Sequence, residues 1–319
     1  MAITLAEAKA LSQDKLTNFL IDEFRKSALL DMLPFDNTVK PQGGSTMTYG
    51  YNRVTTLPTA ASRAINSEYT PQEAKTTKYN TELKVFGGSF QLDRVIINNE
   101  KQVVDQSDFQ LQQKVQATSA KFHDLFINGD SATVATDFDG LDKALTGSTT
   151  ELIPAAAIDL STTSAIDTNW KAFLDYMRAL RAKLDGAPSV WQMNSEMFAK
   201  FQSVMDRAGI NLASKANYGD EVVQWGSALV MALGDKPGTS NPIIPIGTDA
   251  NAGLTSIYVS RLALDGVHGV SPDGDVLVKQ YPPDLKASGA VKLWEVEMVA
   301  AIALKATRAA GVLRKVKVA

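Results

Sequence analysis

Residues 98–129 read NNEKQVVDQSDFQLQQKVQATSAKFHDLFING. Val104, Leu111, Val115, Thr118, Phe122 and Leu125 recur at spacings of seven, four and three, so they fall on one stripe of a helix. Gln, Asp and Lys fill the other faces, no proline interrupts the run, and Gly129 is placed to stop it. At 1.5 Å rise per residue such a helix spans roughly 48 Å, more than the width of a small domain. Ordinary globular helices are much shorter. A long helix with a narrow apolar stripe acts as a beam: a sheet packs on one side, and the polar face is left to solvent or neighbours.

The 319 residues can hold one large domain or two medium ones. With 45% hydrophobic and 21% charged residues, the chain can bury a sizeable core. A net charge of −3 gives no overall basic field to draw it to nucleic acid or an anionic membrane. The absence of cysteine excludes disulfides, zinc–thiolate sites and cysteine nucleophiles, and a reducing compartment suffices. No apolar run reaches transmembrane length. The opening MAITLAEAKAL has no basic segment followed by an apolar one, so no secretory signal is expected and assembly in a cytosol is.

Upstream of the beam, Thr4 and Glu7 match a capping box, and Leu16, Phe19, Leu20 and Phe24 make a second apolar stripe. Two readings stay open for this segment: a helix flanking the domain, or an arm docked on a neighbouring subunit. Residues 45–57 (STMTYGYNRVTTL) alternate, with Met47, Tyr49 and Tyr51 on one side and Thr46, Thr48 and Asn52 on the other. Residues 78–93 (KYNTELKVFGGSFQLD) alternate again, Leu83 and Val85 opposite Glu82 and Lys84, and both stretches read as strands. The connection between them, PTAASRAINSEYTPQEAKT, is polar and has almost no large apolar residue. Long connections of this kind inside a domain are usually functional. Arg53, Arg63, Glu68, Glu73, Lys75 and Lys78 give it mixed charge, suiting either a solvated loop or an arm that lies across another protein. Gly87-Gly88 reads as a bulge or hinge.

Downstream, Asp137 and Asp139 sit in a turn-rich segment that lacks the remaining positions of a calcium loop, which leaves a cluster of Asx-turns as the reading. A second region begins near Thr149. Asp167 or Thr168 caps a helix to Leu184. Residues 189–193 (SVWQM) form a buried strand, and Asn194 and Ser195 cap a helix with Phe198, Phe201 and Val204 inward, ended by Gly209. Residues 211–220 read as a loop, 227–233 (SALVMAL) as a buried strand, 235–253 as a surface loop and 256–260 (SIYVS) as a strand. This alternation implies an α/β layer. In the last part Trp294, Val296 and Met298 face opposite Glu295 and Glu297. Lys305, Arg308, Arg314, Lys315 and Lys317 then offer a block that meets either nucleic acid or acidic neighbours, the second being favoured for what reads as an edge strand.

No linear catalytic motif occurs: there is no H-E-x-x-H, G-x-S-x-G, G-x-x-x-x-G-K-[ST] or G-x-G-x-x-G. The two histidines stand apart, His123 on the long helix and His268 in what reads as a turn. No cofactor, metal or catalytic residue is expected, and no enzyme activity.

The order of these parts resembles the major capsid proteins of tailed bacteriophages, which carry the Hong Kong 97-type capsid fold shared with encapsulin shells. The residues that carry the resemblance are the long hairpin returning through ELKVFGGSFQLDRVIINNE, the beam, the turn INGD…FDGL, the strand–helix VWQMNSEMFAKFQSVMD and the return LWEVEMVAAIALKATRAAGVL. The resemblance covers nearly the whole chain and implies an α+β layout. Residues 1–45 would be an N-terminal arm and 46–90 an extended loop. Residues 91–148 with 285–319 would form a peripheral domain built on the spine helix, and 149–284 an α/β axial domain.

It also implies a role: self-assembly into pentamers and hexamers of an icosahedral shell that encloses double-stranded phage DNA without reading its sequence. Expected partners are a portal, a separate scaffolding protein and a decoration protein, with no membrane. The expected place is the virion, and the host cytoplasm during assembly. Some members cross-link an extended-loop lysine to a neighbour's asparagine, and Lys75 and Lys78 lie in that region. Two rivals are an encapsulin-type compartment with enzyme cargo and an α/β enzyme of unknown reaction.

Overall fold

The computed structural model describes residues 28–38, 46–56, 58–94, 106–210, 212–217, 220–248, 251–272, 278–284 and 287–319. In chain order the helices are α1 (Ala28–Met32), α2 (Gln106–Asn128), α3 (Leu141–Leu145), α4 (Thr163–Lys183) and α5 (Ser195–Arg207). The strands begin with β1 (Phe35–Asn37), β2 (Thr48–Thr56), β3 (Lys75–Glu82), β4 (Lys84–Asp93), β5 (Glu151–Leu152), β6 (Ile158–Asp159) and β7 (Val190–Met193). They continue with β8 (Ala213–Asn217), β9 (Asp220–Trp225), β10 (Ala228–Ala232), β11 (Leu254–Ser260), β12 (Val267–Ser271), β13 (Val278–Tyr281), β14 (Val291–Leu304) and β15 (Ala310–Lys317).

One sheet runs β1-β12-β14-β13, with β4 laid along β14 from Val291↔Asp93 to Ala300↔Lys84. Helix α2 packs across β4 and β14. Leu111, Val115, Thr118, Phe122 and Leu125 are all buried there, as their spacing predicts. Phe122 is the centre of an aromatic cluster, its ring 6.0–6.3 Å from those of Phe35, Phe86, Phe126 and Phe138. The 23 residues of α2 make a beam of about 34 Å. Residues 98–105, and Val104 with them, lie outside the described residues, as do 1–27. The helix ends at Asn128, and Gly129 follows it where only glycine fits: a Cβ there would stand 2.1 Å from the Phe138 carbonyl oxygen of the passing turn.

The second sheet runs β5-β15-β11-β7-β10-β9-β8, with β6 also paired to β15. Helices α4 and α5 cover one face through Phe173, Met177, Leu180, Phe198, Phe201 and Val204, all buried. Asn194 caps α5 as expected, its side chain accepting from the Met197 amide at 2.7 Å. The two sheets share strands in sequence: the chain leaves the second sheet at residues 261–266 and returns to it at 305–309. Sheet membership therefore does not change at the expected 284/285 boundary, because β12 and β13 join β14 while β15 joins β11.

Several expectations are corrected. Residues 78–93 are two strands, not one: Leu83 is buried between them, β3 pairs with β2, and β4 pairs with β14. The interruption shifts the pleat, so Val85 is 51% exposed rather than inward with Leu83. Gly87-Gly88 is neither bulge nor hinge. Both pair in unbroken register with Glu297 and Val296, and a Cβ on Gly87 would come within 1.9 Å of the Val296 carbonyl oxygen. Glycine serves close backbone approach there.

Helix α4 starts earlier than expected, capped by Thr162, which accepts from the Ala165 amide and lets Ile166 reach the core. Residues 211–220, read as a loop, contain β8 and the start of β9, which pair as an antiparallel hairpin anchored further along β9 by the buried Val222 and Val223. The 235–253 segment is not wholly superficial. Ile243 and Ile244 are fully buried, and their carbonyls accept from Asn128 at 2.6 Å and Asn194 at 3.2 Å, tying α2 to the α/β layer. His268 lies in the buried strand β12 rather than in a turn. Strand β15 is interior, between β11 and the short β5 and β6. Its basic residues do meet acids, within the same chain: Arg314 pairs with Asp142 at 2.7 Å and with Glu151.

Candidate assembly interface

Strands β2 and β3 form a two-stranded antiparallel ribbon, from Thr48↔Glu82 to Thr56↔Lys75, that belongs to neither larger sheet. Alternation along β2 turns Tyr49, Tyr51 and Arg53 toward the body and Thr48, Gly50 and Asn52 outward. The root of the ribbon is clamped. The Tyr49 hydroxyl donates to Asp36 at 2.6 Å, Lys305 stands 3.8 Å from the same carboxylate, and the His268 ring meets Tyr49 edge-on at 5.6 Å. Arg53 donates from Nε to the Lys305 carbonyl at 3.1 Å and from Nη2 to that of Leu304. Its guanidinium lies 4.3 Å over Tyr79, which stacks on Tyr51 at 5.9 Å.

The electrostatics fit a clamp. Burial pushes the Asp36 carboxyl up, but the Tyr49 hydroxyl, the Asn37 amide and the Lys305 charge outweigh it and hold it below its ordinary value. Burial, and donation to Asp36, push Tyr49 well up. Burial, with Lys305 nearby, brings His268 down to about 4, so it is neutral at pH 7. These groups fix position; none is aimed at a cleft as a nucleophile with its base.

Beyond the root, every residue from 58 to 80 is exposed. The far end is nonetheless ordered by its own bonds. Gln72 receives the Thr59 amide at 2.9 Å, Ser67 donates through both its amide and its hydroxyl to the Ala64 carbonyl, and Arg63 reaches the Ser67 carbonyl at 3.2 Å and lies over Tyr69. Asn66 takes the left-handed conformation, φ 68°, that closes the tip.

The sequence-named residues divide in two. Glu68, Glu73, Lys75 and Lys78 are exposed and make no ion pair among the described residues. Arg63 is spent on the tip. Arg53, named as a contact to a neighbour, donates its guanidinium N–H groups to the Lys305 and Leu304 carbonyls of its own chain. Sequence reasoning missed Asp36, Tyr79 and Ile65, and set Lys305 in the C-terminal basic block without its place at the arm's root. Only the β2–β3 register brings Tyr79 opposite Tyr51, and only the fold brings Lys305 to Asp36. The carboxylates after α2 are engaged by lysines, Lys143 with Asp130 at 2.6 Å and Asp139 at 2.8 Å, and Lys121 with Asp137 at 3.6 Å. Among the described residues no group of His, Asp and Glu could hold a metal ion, and no described helix is long and apolar enough to cross a membrane.

No protein-family model matches the chain, and no curated protein matches it in sequence. Solved structures do match in fold. The holo-SrpI encapsulin complex from Synechococcus elongatus PCC 7942 superposes with a TM-score of 0.63 at 14% identity, over 91% of this chain and 87% of that one. The capsid of a native GTA particle gives 0.60 at 10% identity, over 91% and 90%. A Mycobacterium phage Bobi structure gives 0.58 at 12% identity, over 90% of each chain.

Proposed function

We propose, from the premise that this chain has the Hong Kong 97-type capsid fold, that it is a shell subunit: a major capsid protein that self-assembles around the double-stranded DNA of a tailed phage. The carrying observation is the ribbon. It is clamped at its root by Asp36, Tyr49, Arg53 and Lys305, yet every residue from 58 to 80 is exposed. An ordered arm whose Glu68, Glu73, Lys75 and Lys78 make no ion pair among the described residues suits contact with another copy, each contact modest and the sum large around a ring. Closed rings of identical subunits, pentamers and hexamers, are the symmetric solution for such heterologous contacts.

In this reading α2 with the β4–β14 sheet is the peripheral domain, the α4–α5 layer the axial domain and the ribbon the extended loop. The protein works structurally rather than as an enzyme. It encloses DNA without reading sequence, with a portal, a separate scaffold and a decoration protein as partners. Its place is the virion, after assembly in the host cytoplasm. A second reading, an encapsulin-type compartment, is favoured by the SrpI superposition. Electron microscopy of particles from the expressed chain, followed by nuclease digestion and mass spectrometry of their contents, tests both. Shells with DNA and a portal support the first, shells with an enzyme cargo the second, and a small oligomer with no shell overturns both.

A further inference from the structure

Strand β7 reads Val190-Trp191-Gln192-Met193, and all four residues are buried. Trp191 and Met193 pack in the cluster with α4 and α5, whereas Val190 joins the core that contains the α2 stripe. Alternation puts Gln192 on the Val190 face. Its side chain is fully buried, and among the described residues neither its amide nitrogen nor its amide oxygen has a hydrogen-bond partner. Such an amide gives up its water on folding and gains no bond in return, a condition that native proteins rarely leave standing.

A second such group lies beside it. Strand β11 pairs antiparallel with β7, Tyr258↔Gln192 and Ser260↔Val190, so Ser260 is the diagonal neighbour of Gln192 on the same face. The Ser260 hydroxyl is buried and also has no partner among the described residues. The strand neighbours supply none. Met231 stands beside Gln192 on β10, and Tyr258 opposite it has spent its one hydroxyl hydrogen on Asp142 at 2.6 Å. On β15 the residue opposite Ser260 is Ala310. Ser260 and Ala310 are both short, so the surface of the sheet dips next to the long Gln192 side chain.

We propose that an ordered water molecule occupies this dip and bridges the Gln192 amide to the Ser260 hydroxyl. The bound molecule must both donate and accept, because Gln192 presents N–H and C=O groups and Ser260 an O–H. It must be small, since both side chains are fully buried, and neutral, since neither carries a charge. Water meets all three conditions, and three polar atoms are what an interior water ordinarily satisfies. The bridge gives the α/β layer a polar anchor on the face it turns toward the beam.

A double-mutant cycle on the full-length chain tests the bridge. In chemical denaturation Gln192→Met and Ser260→Ala should each lower the unfolding midpoint. The double variant should shift it by less than the sum of the two, because one shared water is lost only once. A raised midpoint for Gln192→Met would mean a dry, unpaired amide, and additive shifts would mean no shared molecule; either overturns the proposal. A high-resolution structure of the parent chain, from crystals or assembled particles, gives a second readout that needs no variant. The expected result is density for one water within about 3.2 Å of both side chains. A direct Gln192–Ser260 hydrogen bond, or apolar side chains closed around both, overturns it.

Discussion

The α/β layer and the ribbon are built from the same kind of strand and put it to opposite use. In the α/β layer the four residues of β7 are all buried, α5 is capped by its own Asn194, and apolar side chains meet inside one chain. In the ribbon β2 alternates between its two faces, and only its root meets the body. From residue 58 to 80 nothing is buried, although the segment is ordered. A layer whose apolar residues are satisfied internally explains its own sequence; an arm whose residues are not needs a second molecule to explain it.

Replacing residues 58–74 with a short Gly/Ser turn should break the comparison most sharply. The body loses no core residue, so its thermal transition should survive, while shell formation is abolished or misdirected. Shells of normal form and salt resistance from this variant would make the arm a solvated loop.

Acid should separate the two regions next. His123 on α2 and His268 under the ribbon are both brought down to about 4 by burial. An unfolded histidine titrates near 6.5, so between about pH 6.5 and 4 the unfolded chain binds more protons than the folded one, and stability falls as pH falls, by up to about 3 kcal/mol per histidine. Denaturant melts across that window should show the slope. His268→Gln should lessen it, and hydrogen exchange should show the root of the ribbon protected at lower pH than in the parent. An unchanged slope in that variant would mean that the His268 environment does not hold it neutral.

The body should register packing changes that the arm does not. Phe122→Ala removes the centre of the cluster with Phe35, Phe86, Phe126 and Phe138 and should cost about 3–5 kcal/mol in chemical denaturation. Asn194→Ala removes the α5 cap and the bonds to Ile244 and Thr255 and should cost about 1–3 kcal/mol. Lys75→Ala, on an exposed charge, should change monomer stability by well under about 1 kcal/mol and show itself only as lower salt resistance of assembled particles. A large loss of monomer stability from Lys75→Ala would place the arm's energetics inside its own chain.

The same contrast sets what the sequence can and cannot tell. The α2 stripe is legible because its 3.6-residue period depends on one partner face. Asn194 is legible because capping is local, three residues from donor to acceptor. Ile243 and Ile244 escape notice because they stand between Pro242 and Pro245 in a Gly- and Asn-rich run, where composition signals surface; two adjacent isoleucines are the one hint of burial. Strand β8 escapes because ASKAN carries no apolar alternation, and the apolar residues of its partner β9, Val222 and Val223, lie beyond the stretch read as a loop. Of the arm, the mixed charge and the projection are legible. The Asp36–Tyr49–Lys305 clamp is not, since it joins residues more than 250 positions apart, and Arg53 reads as a spare charge until the Leu304 and Lys305 carbonyls are seen to hold it.

The central claim is that the arm completes itself on another copy. Hydrogen exchange of the backbone amides of residues 58–74, before and after assembly, tests it most directly. These amides should exchange fast in the unassembled chain and become strongly protected in assembled particles, while those of α4 and α5 stay as they were. Fast exchange of 58–74 in assembled particles would contradict the account.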